Sequence, residues 1–271
     1  MAIRTRPTTN GRSRSGPLRV IPGAASSGGL PPPLRLLRFT LLAAILAAGL
    51  VLAMVLSLVG YLGFRASIVE VPREPELPET TFLFSRAGDR IAQLSGPEHR
   101  IVVELEDLPA HLIGAVLAAE DNGFFEHGGI DARAIVRAAL TDLGRGALVE
   151  GGSTITQQYV KNVFTGSDRT FARKLEEAAL AIELERRWTK EEILEAYLNT
   201  ISFGRRAYGI EAAARSYFAK SAHQLTVAEA AALAALPKAP SFYDPRRNLG
   251  GARELRDLVL REMAGAGFIA D

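Results

Sequence analysis

The residues best suited to chemistry gather between Glu120 and Asn162, with a second charged group from Arg169 to Glu177. Glu120 and Asp121 close an apolar run and are followed at once by Asn122-Gly123-Phe124-Phe125-Glu126-His127-Gly128-Gly129. Two carboxylates at a helix C-terminus oppose the macrodipole and cost stability there. A Glu held among aromatic side chains loses hydration of its charged form. Its pKa rises, and it can then accept or donate a proton near neutrality. A solvated surface pair of acids would be spelled the same way, so this stretch alone admits both readings.

Downstream, Gly151-Gly152-Ser153-Thr154-Ile155-Thr156-Gln157-Gln158 leads to Lys161-Asn162. Glycines followed by a hydroxyl cap and a helix present free backbone N–H groups to an anion, although many ordinary helix starts read alike. No Lys-Ser/Thr follows the glycines, so this is not a nucleotide P-loop. Further on, Arg173 and Glu177 stand i,i+4 and Lys174 and Glu177 i,i+3, on one helix face. As exposed ion pairs they would contribute only about 0.3–0.5 kcal/mol. With Arg137, Lys161 and Arg169 they could equally line a pyrophosphate site.

The elements that must position these groups are mainly helical. Thr81–Phe84 and Arg90–Leu94 flank Arg86-Ala87-Gly88-Asp89 and read as a hairpin. After residue 107 the period becomes helical. Leu112, Val116 and Leu117 share the face of a helix ending near Asp121; Asp131 caps one carrying Ile135, Val136 and Leu140; Ser153 caps one running through Val160. A long helix spans Phe171–Trp188, with Leu175, Ala179 and Ile182 on one side. Thr189 with Glu192, and Thr226 with Glu229, spell capping boxes, the second opening an Ala-rich helix to about Leu236. Leu255, Leu258 and Val259 mark a last helix.

The 271 residues are 48% hydrophobic and 23% charged, enough for one core plus extras. No cysteine is present, which excludes disulfide and thiol chemistry. Four His, none paired at ligand spacing, argue against a structural zinc site. The net charge of +2 is unevenly spread: residues 1–38 hold seven Arg and no acid, in a Ser-, Gly- and Pro-rich composition that cannot bury a core. Phe39 to Phe64 contains no charge and is long enough to span a bilayer. Beyond it, Glu70, Glu74, Glu76 and Glu79 outnumber Arg65 and Arg73. The basic side stays in the cytoplasm, so the chain divides into a disordered basic cytoplasmic tail (1–38), a transmembrane helix (39–64), a linker (65–80) and an extracytoplasmic domain (81–271).

Taken in order, these segments resemble the peptidoglycan glycosyltransferases: the transglycosylase domain of class A penicillin-binding proteins and the single-domain enzymes of that type. Glu120-Asp121-x-x-Phe124-x-x-His127-x-Gly129-x-Asp131 looks like their first motif, and Gly152-Ser153-Thr154-Ile155-x-Gln157-Gln158-x-x-Lys161-Asn162 their second. Arg173-Lys174-x-x-Glu177 is similar to the third, Lys190-x-x-Ile193-Leu194-x-x-Tyr197-Leu198-Asn199 to the fourth, and Gly209-Ile210-Glu211-Ala212-Ala213 through Tyr217-Phe218-x-Lys220 to the fifth, with Ala219 where relatives often have Gly.

The resemblance implies a mainly α, lysozyme-like glycosyltransferase domain with a small membrane-proximal lobe, preceded by one transmembrane helix in the bacterial inner membrane. The substrates would be lipid II and the growing glycan strand. Glu120 would be the general base, and Glu177 would assist, through phosphate or through a Mg²⁺ or Mn²⁺ ion. Arg137, Lys161 and Arg169 would hold the donor pyrophosphate. Asp121, Phe124, Ser153, Thr154, Gln157, Asn162, Arg173 and Lys174 would shape the cleft. Partners would be a transpeptidase or other cell-wall synthesis proteins, and no nucleic acid. Inhibition by moenomycin-type phosphoglycolipids is also implied. No Ser-x-x-Lys or Lys-Thr-Gly occurs, so no transpeptidase domain is expected in this chain. A hydrolase on the same fold would need no cationic pyrophosphate site, and an inactive scaffold would need neither Glu120 nor Glu177.

Overall fold

Leu and Ala dominate the apolar run and favour helix, and no charge interrupts it. In the computed structural model of the chain they form α1, Pro32–Ile68, whose prolines sit in the first turn, where no backbone donor is needed. It starts within the stretch the sequence assigned to the tail and continues through Arg65 into the expected linker. Its Leu37–Ile68 portion is long and apolar enough to cross a membrane, with none of its most apolar window buried. The structure describes residues 32–69, 80–88, 90–94, 98–145, 152–165 and 170–270; residues 1–31 of the tail, residues 70–79 of the linker and Arg169 lie outside these. The chain divides into two compact units, 1–54 and 55–271, and everything below concerns the second.

The hairpin forms as the sequence spelled it. β1 (Thr81–Phe84) pairs antiparallel with β2 (Arg90–Leu94), Thr81 opposite Leu94. β3 (His99–Arg100) pairs in parallel with the short β4 (Ala207–Tyr208). The body is helical: α2 (Ala110–Glu120), α3 (Ala132–Arg145), α4 (Ile155–Val160), α5 (Phe171–Arg187), α6 (Lys190–Thr200), α7 (Ile210–Phe218), α8 (Val227–Ala234) and α9 (Leu249–Gly265). α2 packs on α8 and α9, α4 packs on α5 and α6, and α7 touches both α6 and α8. Leu112, Phe124, Ile155, Tyr159, Leu184, Ile193, Tyr197 and Leu233 are fully buried in the shared core.

Capping chemistry sets several boundaries. Thr189 and Thr226 form reciprocal boxes with Glu192 and Glu229 as read from the sequence. Asp131 Oδ1 accepts from the N–H groups of Arg133 and Ala134. The cap of α4 is Thr154, not Ser153: its hydroxyl accepts from Gln157 N–H and the Gln157 side chain returns to Thr154 N–H, which a cap one residue earlier could not arrange. The turn after α4, Lys161–Thr165, widens into π-helical geometry. On α3, Ile135 and Val136 face solvent rather than a core, because amphipathic spacing says that a helix has an apolar side but not what covers it. Ala219, the departure from Gly noted above, closes α7 in the left-handed conformation (φ 56°), which a Cβ makes unfavourable.

Candidate active site

Glu120 ends α2, where the helix stops because Asp121 leaves helical geometry. The Glu120 carboxylate is not a solvated surface group. Gln158 Nε2, from α4, donates to Glu120 Oε2 at 2.8 Å, and the hydroxyl of buried Tyr197, from α6, donates to Gln158 Oε1 at 3.3 Å. Burial is the largest influence on Glu120 and raises its pKa; the adjacent Asp121 charge adds to this, while Gln158 and Lys238 oppose it. The carboxyl therefore titrates above the ordinary range, as a base poised nearer neutrality does.

Asp121 has different partners. Its Oδ2 accepts from Ile155 N–H at 3.0 Å and its Oδ1 pairs with His127 Nε2 at 2.7 Å, while His127 Nδ1 meets the Gly128 carbonyl at 2.6 Å. Burial alone would lower the His127 pKa, but Asp121 and the Gly128 carbonyl reverse this and the net direction is upward. The loop from Asp121 to Asp131 is thereby pinned to the start of α4. It is pinned again at Gly129, whose carbonyl accepts from the Thr154 hydroxyl at 2.9 Å. Gly129 itself lies flat on α5: a Cβ there would fall 2.4 Å from the Ala181 carbonyl carbon.

A cleft of about 370 Å³ opens beside Glu120. Asp121, Glu126, Arg133, Arg137, Ser153 and Thr154 share its lining. From Ser153 the site continues to the cationic group on α5. Lys174 Nζ lies 2.7 Å from Ser153 Oγ and 3.3 Å from Glu177 Oε2, and Arg173 pairs with Glu177 Oε1. Thr165 donates to Glu177 at 3.3 Å. Glu177 is buried, so the two cations are what make its charge tolerable there. Lys174 has its pKa lowered, by burial first and then by the like charges of Arg173 and Lys161. Lys161 and Asn162 are exposed on the π turn.

A family model described as Transglycosylase matches residues 87–264, which spans every residue of this arrangement. The chain belongs to the transglycosylase family. Penicillin-binding protein 1A of Aquifex aeolicus is 43% identical over 226 residues, covering 81% of this chain and 31% of its own length. Penicillin-binding protein 1F of Bacillus subtilis is 43% identical over 223 residues, 82% of this chain and 31% of its own. The crystal structure of penicillin-binding protein 1A from Haemophilus influenzae aligns with 73% of this chain and 20% of its own at 29% identity, with a TM-score of 0.40. The chain thus spans about a third of the length of the curated relatives it matches.

Within this transglycosylase domain the expected residues separate by position. Glu120, Asp121, Arg137, Ser153 and Thr154 meet at one cleft, and Arg173, Lys174 and Glu177 form an ion-paired group reached through Ser153. Phe124 is fully buried, with Lys190 Nζ 4.2 Å from its ring centre, and Gln157 is consumed by the α4 cap; both shape the site from behind. Arg169 lies outside the described residues. Gln158, Tyr197, His127 and Lys238 were not singled out as site residues from the sequence. Gln158 and Tyr197 stand inside the second and fourth motifs but are 39 positions apart, and only the fold joins them.

Proposed function

We propose that this chain polymerises lipid II into glycan strands by inverting glycosyl transfer. The observation that carries the reading is the half-buried, raised-pKa carboxyl of Glu120 opening on a cleft that Arg137 also lines. Glu120 takes the proton from the 4-hydroxyl of the acceptor lipid II. The freed oxygen attacks C1 of the donor's reducing-end sugar from the face opposite the leaving group. The C1–O bond to the pyrophosphate breaks, and the lipid pyrophosphate departs with the electron pair. A departing pyrophosphate needs fixed positive charge, and Lys161, Arg169 and Arg137 supply it, with Arg173 and Lys174 extending the field. The lowered pKa of Lys174 among like charges fits a group that an anion would stabilise. Ionised Glu120 is the active form, so the rate rises with pH through its raised pKa.

Among the described residues no set of three carboxylate or imidazole groups converges to hold a metal, and Glu177 is already engaged by Arg173 and Lys174. A Mg²⁺ or Mn²⁺ ion would draw most of its ligands from water and the donor phosphates, and no step above depends on one. The lipid-linked donor gives α1 its purpose: a single pass through the bacterial inner membrane, amino end cytoplasmic, keeps the catalytic domain where its substrate lies, beside transpeptidases and other wall-synthesis proteins.

The test is polymerisation of labelled lipid II by the detergent-solubilised chain, wild type beside Glu120→Gln. Long lysozyme-sensitive glycan from the wild type alone supports the reading. Cleavage of preformed glycan without polymerisation overturns it in favour of a hydrolase.

A further inference from the structure

Resting on that reading, we propose that Gln158 and Tyr197 are positioning residues that hold the Glu120 carboxylate in one orientation, with Oε2 occupied and Oε1 left to receive the acceptor's proton. An amide side chain is nearly symmetric in shape but not in chemistry: one end donates and the other accepts. A carboxylate base can only be held by the donating end. If the Gln158 amide turned over, its carbonyl would face the Glu120 oxygens and repel them.

What prevents the turn is Tyr197. Its hydroxyl donates to Gln158 Oε1 at 3.3 Å, which commits Nε2 to Glu120 at 2.8 Å. Tyr197 is buried to within 1% of its surface, so its ring cannot swing away. Its pKa lies well above the ordinary tyrosine value, through burial first and then the charges of Glu120 and Asp121, so it remains a donor throughout the working pH range. The relay spans three helices. Glu120 comes from α2, Gln158 from α4 and Tyr197 from α6, so the base is aligned by side chains of two other helices rather than by its own loop. The amide does not pass a proton, so this arrangement orients the base and does not shuttle charge. The other ionisable neighbours of Glu120, Asp121 and Lys238, act on it by charge alone and do not set its rotamer.

The test uses the full chain in detergent micelles and compares wild type, Gln158→Met, Tyr197→Phe and the double variant. Two quantities are read: the pH profile of kcat/KM on lipid II, and the titration of the Glu120 side-chain carboxyl carbon by NMR, assigned from its absence in Glu120→Gln. The Gln158 hydrogen bond favours the ionised form. Its loss therefore moves the Glu120 titration and the acid limb of the profile to higher pH, and misalignment lowers the plateau by about 10- to 100-fold. Tyr197→Phe removes one oxygen and moves both in the same direction by less, and it carries the test should Gln158→Met fail to fold. The double variant matches Gln158→Met, because Tyr197 acts only through Gln158.

A Tyr197→Phe titration identical to wild type overturns the relay, as do additive effects in the double variant. If the Glu120 titration moves while the rate profile stays in place, the relay holds and Glu120 is not the base. If the rate falls with the titration unmoved, the relay is wrong and the base reading is untouched.

Discussion

The two walls of the site are built on opposite plans. On the Glu120 side the carboxylates are completed by the fold: Gln158, Ile155 N–H and His127 already occupy three of their oxygens. On the α5 side the charges are only partly resolved. Glu177 is buried between Arg173 and Lys174, while Lys174 and Lys161 remain exposed and repel one another. One wall is held by hydrogen bonds within the fold, as the proposed base needs to keep its geometry. The other sets Arg173, Lys174 and Lys161 around one buried carboxylate, Glu177.

Substitutions on the two walls should separate rate from stability. Glu120→Gln should lower polymerisation by about 10²–10⁴-fold with an unchanged or higher Tm. The sign follows from the raised pKa: a carboxyl that resists ionisation in the folded state destabilises the fold as it ionises, and the amide does not. A lower Tm would mean that the Glu120 wall is structural after all. Glu177→Gln should behave in the opposite sense. Removing the buried anion between two cations should cost about 2 kcal/mol of stability, discounted for the exposed Lys174, and lower Tm by several degrees in a thermal melt; a Tm equal to wild type would show that the α5 wall is not held by its ion pairs.

Lys161→Ala should weaken donor engagement by roughly tenfold, the size of one charge-assisted contact, with acceptor binding unchanged. The loss should shrink as salt is raised. Equal losses for donor and acceptor would remove the pyrophosphate role from this wall. The smallest expected effect is on His127, whose folded pKa is raised by Asp121. Its contribution is fully present below the unfolded His pKa of about 6.5 and is lost as pH rises through the higher folded value. His127→Gln should therefore lower Tm more at pH 5.5 than at pH 8.5. A difference independent of pH would assign the loop's attachment to packing instead.

Features that depend on neighbours in sequence were legible in the chain. The boxes at Thr189–Glu192 and Thr226–Glu229, the hairpin turn around Gly88 and the Arg173-Lys174-Glu177 face are each set within a few residues. The α4 cap was misplaced by one residue because Ser153 and Thr154 are both adequate hydroxyls. The deciding partner, Gln157, completes a box only with Thr154. Long-range features were not legible: nothing local tells Tyr197 to meet Gln158, Asp121 to receive Ile155 N–H, or Lys238 to lie near Glu120. Ile135 and Val136 show the same limit from the other side, since periodicity marks an apolar stripe without naming its cover.

Gly129 has a consequence for how the site can move. Backbone rests on backbone there, with no compressible side chain between the loop and Ala181. A joint of that kind has no give. The loop and α5 must travel together, so the gap from the His127 loop to the α5 ion pairs works as a fixed gauge. If the proposed polymer needs more room, it has to come from elsewhere in the lining, such as Arg133 and Arg137 on α3, the helix whose Ile135 and Val136 face solvent.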